Sequence, residues 1–249
     1  MENKLIDGKA ISEKLRQNMA SQVERLVAQG IIPGLAFVLV GDNPASATYI
    51  RMKGRACKKI GIVSNDRTLP EEVKEEELIS VIEELNADKN IHGILVQLPL
   101  PHHLDEEKIL HTISPEKDVD GFHPVNVGKM VLGRESFLPC TPAGVMELLK
   151  ETNIPIQGSH VVIVGRSNIV GKPLANMLIQ KREFGNATVT ICHSRTKDLT
   201  KHTSSADILV AAIGKAEFIK KDMIKEGAVI IDVGINRVDD PRAKKGYRI

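Results

Sequence analysis

The order of apolar runs and glycine turns predicts an α/β fold in two lobes, each built on a parallel sheet. Three observations carry this reading. Residues 34–41 are a short, unbroken apolar run between glycines and 91–96 read likewise as a buried strand, the pattern of strands buried on both faces. The stretches between them have helical character, so the strands pair in parallel through crossover connections. A later run, 161–164, passes through a glycine turn at 165–171 into a helix, the strand–turn–helix arrangement of a dinucleotide-binding unit. Residues 133–138 separate the two patterns, which gives an N-terminal domain 1–139 and a Rossmann-type domain 140–249.

Taken in order, Ile11, Leu15, Met19, Val23 and Leu26 step by three or four and predict an amphipathic helix ending near Gly30. After the first strand, Pro44 to Ile60 reads as one helix. Asn43 or Ser46 can cap it, Pro44 suits its first turn and Gly61 can end it in a left-handed turn. Tyr49, Lys53, Ala56 and Ile60 share the face expected to turn inward, whereas Arg51, Arg55, Lys58 and Lys59 lie elsewhere. Lys53 is therefore out of place. A lysine against a low-polarity wall gives up its proton more easily and suits acid/base work, while a snorkelling lysine whose stem covers the core is the other reading.

A helix around 75–86 leads into the strand 91–96, and functional groups are expected at the strands' carboxyl ends. Gln97-Leu98-Pro99-Leu100-Pro101 stands there. The Gln97 amide both donates and accepts, so it can orient a lysine amine or a heterocyclic substrate, or else serve an ordinary turn. The neighbouring His102-His103 lacks metal-ligand spacing and reads as solvated. In the loop 115–122, Asp118 and Asp120 suggest calcium, but Phe122 and His123 stand where that loop needs an oxygen ligand and a glycine. Asp118 is expected to pair with Lys117 or an arginine. Asp120, followed by Gly121, can accept a pair of N–H bonds from a ligand or cap a turn. A helix from about 140 to 150 follows, with Thr141 as its expected cap and Pro142 in its first turn.

In the second lobe, Gly165-Arg166-Ser167-Asn168-Ile169-Val170-Gly171 departs from the dinucleotide fingerprint. Ser167 replaces the second glycine and Gly171 falls one place late, so a plain strand–helix turn stays open. A serine nucleophile elbow fails because Ile169 occupies its glycine position. The strand 188–192 ends in His193-Ser194-Arg195-Thr196, without the acid that holds the ribose hydroxyls of NAD. Hydroxyl and guanidinium groups there favour the extra phosphate of NADP, with Arg166 nearby. Strands at 207–212 and 228–233 exit at Gly214 and Gly234, where a flat ring can approach closely.

Composition excludes several classes. No apolar run approaches the ~20 residues of a membrane helix, and residues 1–4 lead into a helical pattern without the apolar core of a signal peptide, so the cytoplasm is the expected compartment. Net charge is +2 with dispersed basic residues and 3% aromatics, against a nucleic-acid surface. Cys57, Cys140 and Cys192 fit reduced thiols rather than disulfides or a metal site.

Together, Tyr49-x-x-x-Lys53, the run 93–101, Pro115–Gly121, Gly165–Gly171 and Asp232-Val233-Gly234-Ile235-Asn236 resemble the bifunctional methylenetetrahydrofolate dehydrogenase/cyclohydrolases, the bacterial form most closely. The likeness runs through nearly the whole chain. It implies a folate cleft between two lobes, with Tyr49 against the aminobenzoyl region, Lys53 central to catalysis, Gln97 tuning Lys53, Leu98 and Pro99 lining the substrate site, and Asp120 gripping the pterin. It further implies NADP held by Gly165, Arg166, Ser167, Ser194, Arg195, Gly214, Gly234 and Ile235, with no metal, and a homodimer joined through the second lobe. By the resemblance the functional protein is also expected to continue past Ile249 through another strand, a glycine- and proline-rich loop and a helix. A quinate/shikimate-type dehydrogenase and a non-catalytic nucleotide-binding module are the rival readings.

Overall fold

The computed structural model of the chain describes residues 5–234, 236, 238–240, 242–243 and 246–248. The chain divides into two compact units, Met1–Gly128 with Ser136–Leu138, and Lys129–Glu135 with Pro139–Ile249.

The first unit opens with α1 (Gly8–Ala28), whose Asp7 cap accepts from the amides of Lys9 and Ala10. It continues through β1 (Gly34–Val40), α2 (Pro44–Ile60), β2 (Val63–Leu69), α3 (Glu75–Ala87), β3 (Gly93–Val96) and α4 (Glu106–Thr112). The helix α5 (Pro124–Val131) follows, with its residues from Lys129 onward counted in the second unit. The strands form a parallel sheet in the order β2-β1-β3. As the apolar run 34–41 predicts, β1 is buried on both faces. Ala36, Val38 and Val40 join Leu78, Ile82, Ile94 and Ile109 on one side, while Phe37 and Leu39 join Ile50, Cys57 and Leu95 on the other.

Two expectations are corrected here. The strand β2 is absent from the sequence reading, because Val-Ser-Asn-Asp-Arg-Thr-Leu contains no fully buried residue and carries the polar side chains that suit an exposed sheet edge. In α1 only Val23 is buried, and Met19 and Leu26 remain 42% and 37% exposed. That helix lies along α2, with a 2.6 Å Lys59–Glu13 ion pair at the contact, and an apolar stripe on one helix covers only a narrow seam.

The second unit contains α6 (Cys140–Glu151), β4 (His160–Val164), α7 (Gly171–Leu178), β5 (Thr188–Cys192), α8 (Leu199–Thr203), β6 (Ile208–Ala211) and β7 (Val229–Asp232). A 3-10 turn at Lys221–Met223 precedes β7, and a short antiparallel pair, β8 (Val238–Asp239) with β9 (Tyr247–Arg248), follows it. The main sheet is parallel in the order β5-β4-β6-β7, with Val162, Val164, Cys192, Ala206 and Leu209 in its core. The start of α6 differs from expectation. Pro139 is the cap residue, Cys140 and Thr141 are already helical, and no side chain caps the helix. No described helix is long and apolar enough to cross a membrane.

Candidate active site

In the first unit, α2 leaves the carboxyl end of β1 and brings its third turn beside the end of β3. Its start is built as the sequence predicts. The Asn43 side chain accepts from the amides of Ala45 and Ser46, Pro44 is the first helical residue, and Gly61 closes the helix at φ 86°. The inward face agrees in part. Ser46, Ile50, Cys57 and Ile60 are buried, Lys53 is half-buried among them, and Tyr49 lies on the flank, 44% exposed. At 100° per residue Lys53 falls between Ser46 and Ile60, within the buried stripe, whereas Tyr49 falls just outside it.

Lys53 thus stands half-buried at the edge of the core, and its Nζ donates to Gln97 Oε1 at 3.4 Å. Gln97 continues the parallel ladder one residue past β3, its amide N–H donating to the Val38 carbonyl. Its side-chain Nε2 donates to the Leu98 carbonyl at 2.7 Å. That bond occupies the NH2 end and turns the carbonyl end toward the lysine. A neutral amide orients an ammonium without the countercharge that a carboxylate would add. The half-buried Leu98 and exposed Pro99 follow, joined by a cis peptide bond.

Asp120 reaches the same end of the sheet by a different route. The loop after α4 runs beside β3 in the same direction: Ile94 pairs with Asp118 as a parallel bridge, and the Ile94 amide donates to the Lys117 carbonyl at 2.7 Å. A turn closed by Gly121 N–H to the Asp118 carbonyl then carries the half-buried Asp120 onward, with Gly121 at φ 65°. The approach is close enough that any side chain at Gly93 would collide with Val119.

The expected pairing of Asp118 with Lys117 is not formed. Lys117 Nζ donates instead to the carbonyls of Leu85, Asn86 and Asp88, at 3.1, 2.7 and 2.7 Å, and so closes the carboxyl end of α3. Asp118, 2% exposed, accepts through Oδ2 from the His123 amide and from the buried Asn126 side chain. Asn126 also donates to the Pro115 carbonyl. Sequence reasoning missed both anchors, since a lysine and an asparagine carry no local signal of their tertiary partners. His103 is exposed, with its Nε2 3.0 Å from the Val73 carbonyl.

In the second unit the predicted cofactor residues gather at the carboxyl ends of four adjacent strands. Val164 of β4 is in register with Cys192 of β5, so Arg166 and Ser194 emerge side by side, and both are exposed together with Arg195. The Gly165 amide donates to the Cys192 carbonyl at 2.9 Å. Gly165 adopts φ 141°, and a Cβ there would strike the Ala212 carbonyl; one on Gly171 would strike the carbonyl of Gly165. These two glycines let the turn pass tightly under the first turn of α7. Ser167 Oγ accepts from the amides of Val170 and Gly171, at 3.1 and 3.4 Å, which leaves its hydroxyl proton to donate outward. Gly214 and Gly234 follow β6 and β7, and Gly214 faces open space. Ile235 lies outside the described residues. Two guanidinium groups, two hydroxyls and no acid directly after β5 suit a dinucleotide carrying an additional phosphate.

Comparison with known proteins agrees with both units. Residues 6–120 match the family description "Tetrahydrofolate dehydrogenase/cyclohydrolase, catalytic domain", and residues 139–248 match its NAD(P)-binding domain. The bifunctional protein FolD of Geotalea daltonii is 56% identical over 239 residues, covering 96% of this chain and 84% of the relative. Among solved structures, the bifunctional FolD of Campylobacter jejuni is similar at a TM-score of 0.91, with 48% identity over 98% of this chain and 83% of that one. A Trypanosoma brucei FolD complexed with NADP cofactor and inhibitor has a TM-score of 0.92, with 37% identity over 100% of this chain and 84% of that one. Matched in both of its units and across almost its whole length, this chain belongs to the tetrahydrofolate dehydrogenase/cyclohydrolase family.

Proposed function

We propose that the protein oxidises 5,10-methylenetetrahydrofolate to 5,10-methenyltetrahydrofolate with NADP, and then hydrolyses the product to 10-formyltetrahydrofolate. Family membership supports the pair of activities. The single observation that carries the assignment of residues is the Lys53–Gln97 contact at the carboxyl end of the first sheet. Residues 1–139 bind the folate and residues 140–249 the cofactor.

When bound, NADP supplies the hydride acceptor for the methylene carbon. The protein's own work is to hold and to move protons. Asp120 accepts N–H bonds from the pterin edge, the exposed Tyr49 ring stacks on the aminobenzoyl region, and Leu98 and Pro99 line the same site. In the hydrolytic step water adds to the methenyl carbon. Lys53 exchanges the protons that this addition and the ring opening require, and Gln97 fixes its direction. Arg166, Ser167, Ser194 and Arg195 hold the phosphates of the cofactor, while Gly165, Gly214, Gly234 and Ile235 admit it closely. The enzyme works in the cytoplasm as a homodimer joined through its second unit, which size-exclusion chromatography with light scattering tests directly.

Methenyl absorbance decides between this function and its rivals. With methylenetetrahydrofolate, the band should rise only when NADP is present and then decay as 10-formyltetrahydrofolate forms. A protein that binds NADP but gives no methenyl signal is a non-catalytic nucleotide-binding module. Turnover of a quinate or shikimate substrate with no folate turnover would replace the proposal.

A further inference from the structure

We propose that Thr196 is a positioning residue for recognition of the cofactor's 2′-phosphate, holding the turn that presents Ser194 and Arg195; this rests on the NADP reading above. The strand β5 ends at Cys192, and the next four residues fold back on themselves. The His193 amide donates to Thr196 Oγ1 at 2.9 Å, and the Thr196 amide donates to the His193 carbonyl at 2.9 Å. Within this reciprocal pair, the Arg195 amide donates to His193 Nδ1 at 3.2 Å. That contact requires the imidazole to carry no proton on Nδ1.

Ser194 and Arg195 form the exposed tip, whereas His193 and Thr196 at its base are half-buried. The tip's backbone is therefore held by two side chains of the turn itself. The turn starts directly from the end of β5, where the buried Cys192 receives the Gly165 amide on its carbonyl at 2.9 Å. The phosphate-reading tip thus hangs from the same strand end that supports the glycine turn.

Recognition of a phosphate by a hydroxyl and a guanidinium depends on direction as well as charge. Removing Oγ1 leaves the His193 amide without its acceptor and releases the base of the turn. Ser194 and Arg195 keep their chemistry but lose their fixed aim. Discrimination between nucleotides with and without a 2′-phosphate should therefore fall while adenosine binding persists.

The test is calorimetric titration of wild type, Thr196→Val and Thr196→Ser with 2′,5′-ADP and with 5′-AMP. Wild type should bind 2′,5′-ADP more tightly. Thr196→Val should lose about three- to tenfold in affinity for 2′,5′-ADP, the worth of one backbone hydrogen bond, with 5′-AMP affinity unchanged. Thr196→Ser should retain the wild-type ratio, and the steady-state KM for NADP should follow the same order with kcat unchanged. Should the valine variant fold poorly by circular dichroism, Thr196→Ala repeats the test with a smaller side chain. An unchanged ratio in the folded valine or alanine variant overturns the positioning role alone. A wild-type protein that does not distinguish the two nucleotides overturns the NADP reading itself, and this role with it.

Discussion

Lys53 and Gln97, 44 residues apart in the chain, meet at 3.4 Å where α2 passes the end of β3. The Gln97 NH2 group is committed to the Leu98 carbonyl, so the contact has one sense: the lysine donates and the amide accepts. Lys53→Met keeps a stem of similar length on α2 and should fold normally. Cyclohydrolase activity should fall by roughly 10²-fold or more, the usual worth of a positioned proton-transfer group. Gln97→Glu should also depress hydrolysis, because a carboxylate would tie Lys53 into an ion pair and draw it away from the substrate. Methenyl-folate decay at near wild-type rate in Lys53→Met would remove Lys53 from the chemistry.

Cofactor preference is the second expectation. Arg166, Ser194 and Arg195 are all exposed at adjacent strand ends, and β5 is not followed by an acid. Two charge-assisted bonds at ~1.5–3 kcal/mol each allow a preference for NADP over NAD of roughly tenfold or more. Ser194→Asp should erode that preference by repelling the phosphate. Equal kcat/KM for the two cofactors in the wild-type enzyme would refute the assignment.

The neighbouring acids Asp118 and Asp120 are expected to serve different ends. Asp118 is 2% exposed and accepts from the His123 amide and Asn126, so Asp118→Ala strands two donors and should cost about 1–3 kcal/mol of stability. Asp120 is half-buried beyond that anchor, and Asp120→Ala should weaken folate affinity far more than NADP affinity. Thermal denaturation of the first variant and calorimetry on the second check the pair. Unchanged folate affinity in Asp120→Ala would remove Asp120 from the substrate site.

The contrast marks what was legible in the sequence. Strands buried on both faces announce themselves as apolar runs, and β1, β3, β4 and β6 stand where those runs predict. Caps built from adjacent residues are equally readable, as Asn43, Pro44 and Gly61 illustrate. The polar edge strand β2 is not, because its pairing with β1 is made through the backbone while none of its side chains is fully buried. Tertiary anchors are hidden for a related reason. Lys117 closes a helix some thirty residues earlier in the chain, a partnership that no local spacing encodes. On α2, Tyr49 fits the helical period as well as Ile50 does, yet Tyr49 is 44% exposed and Ile50 is buried. Only the packing against Phe37, Leu39 and Leu95 decides between them.

Acid stability provides a test away from either site. Lys225 Nζ lies 2.6 Å from Asp207, and the His160 amide donates to the other carboxylate oxygen at 2.9 Å. The Lys225 bond, followed by the His160 amide, holds the Asp207 carboxyl below its ordinary range. In the first unit, Lys108 and then the Asp105 amide do the same for Glu75. A carboxylate whose folded pKa is depressed contributes stability that is complete above its unfolded pKa, near 4, and is lost as pH falls through the lower folded value. The melting temperature should therefore be flat in these two groups between pH 7 and about pH 5 and decline below about pH 4. Asp207→Asn and Glu75→Gln remove the titrating oxygen, so each should lower stability at pH 7 and flatten the acid limb. Because both ion pairs lie at the surface, the pH 7 loss should shrink in high salt. Melting curves from pH 7 to pH 3 for wild type, both variants and their combination decide it, and an acid limb as steep in the double variant as in wild type would place the acid sensitivity in other carboxylates.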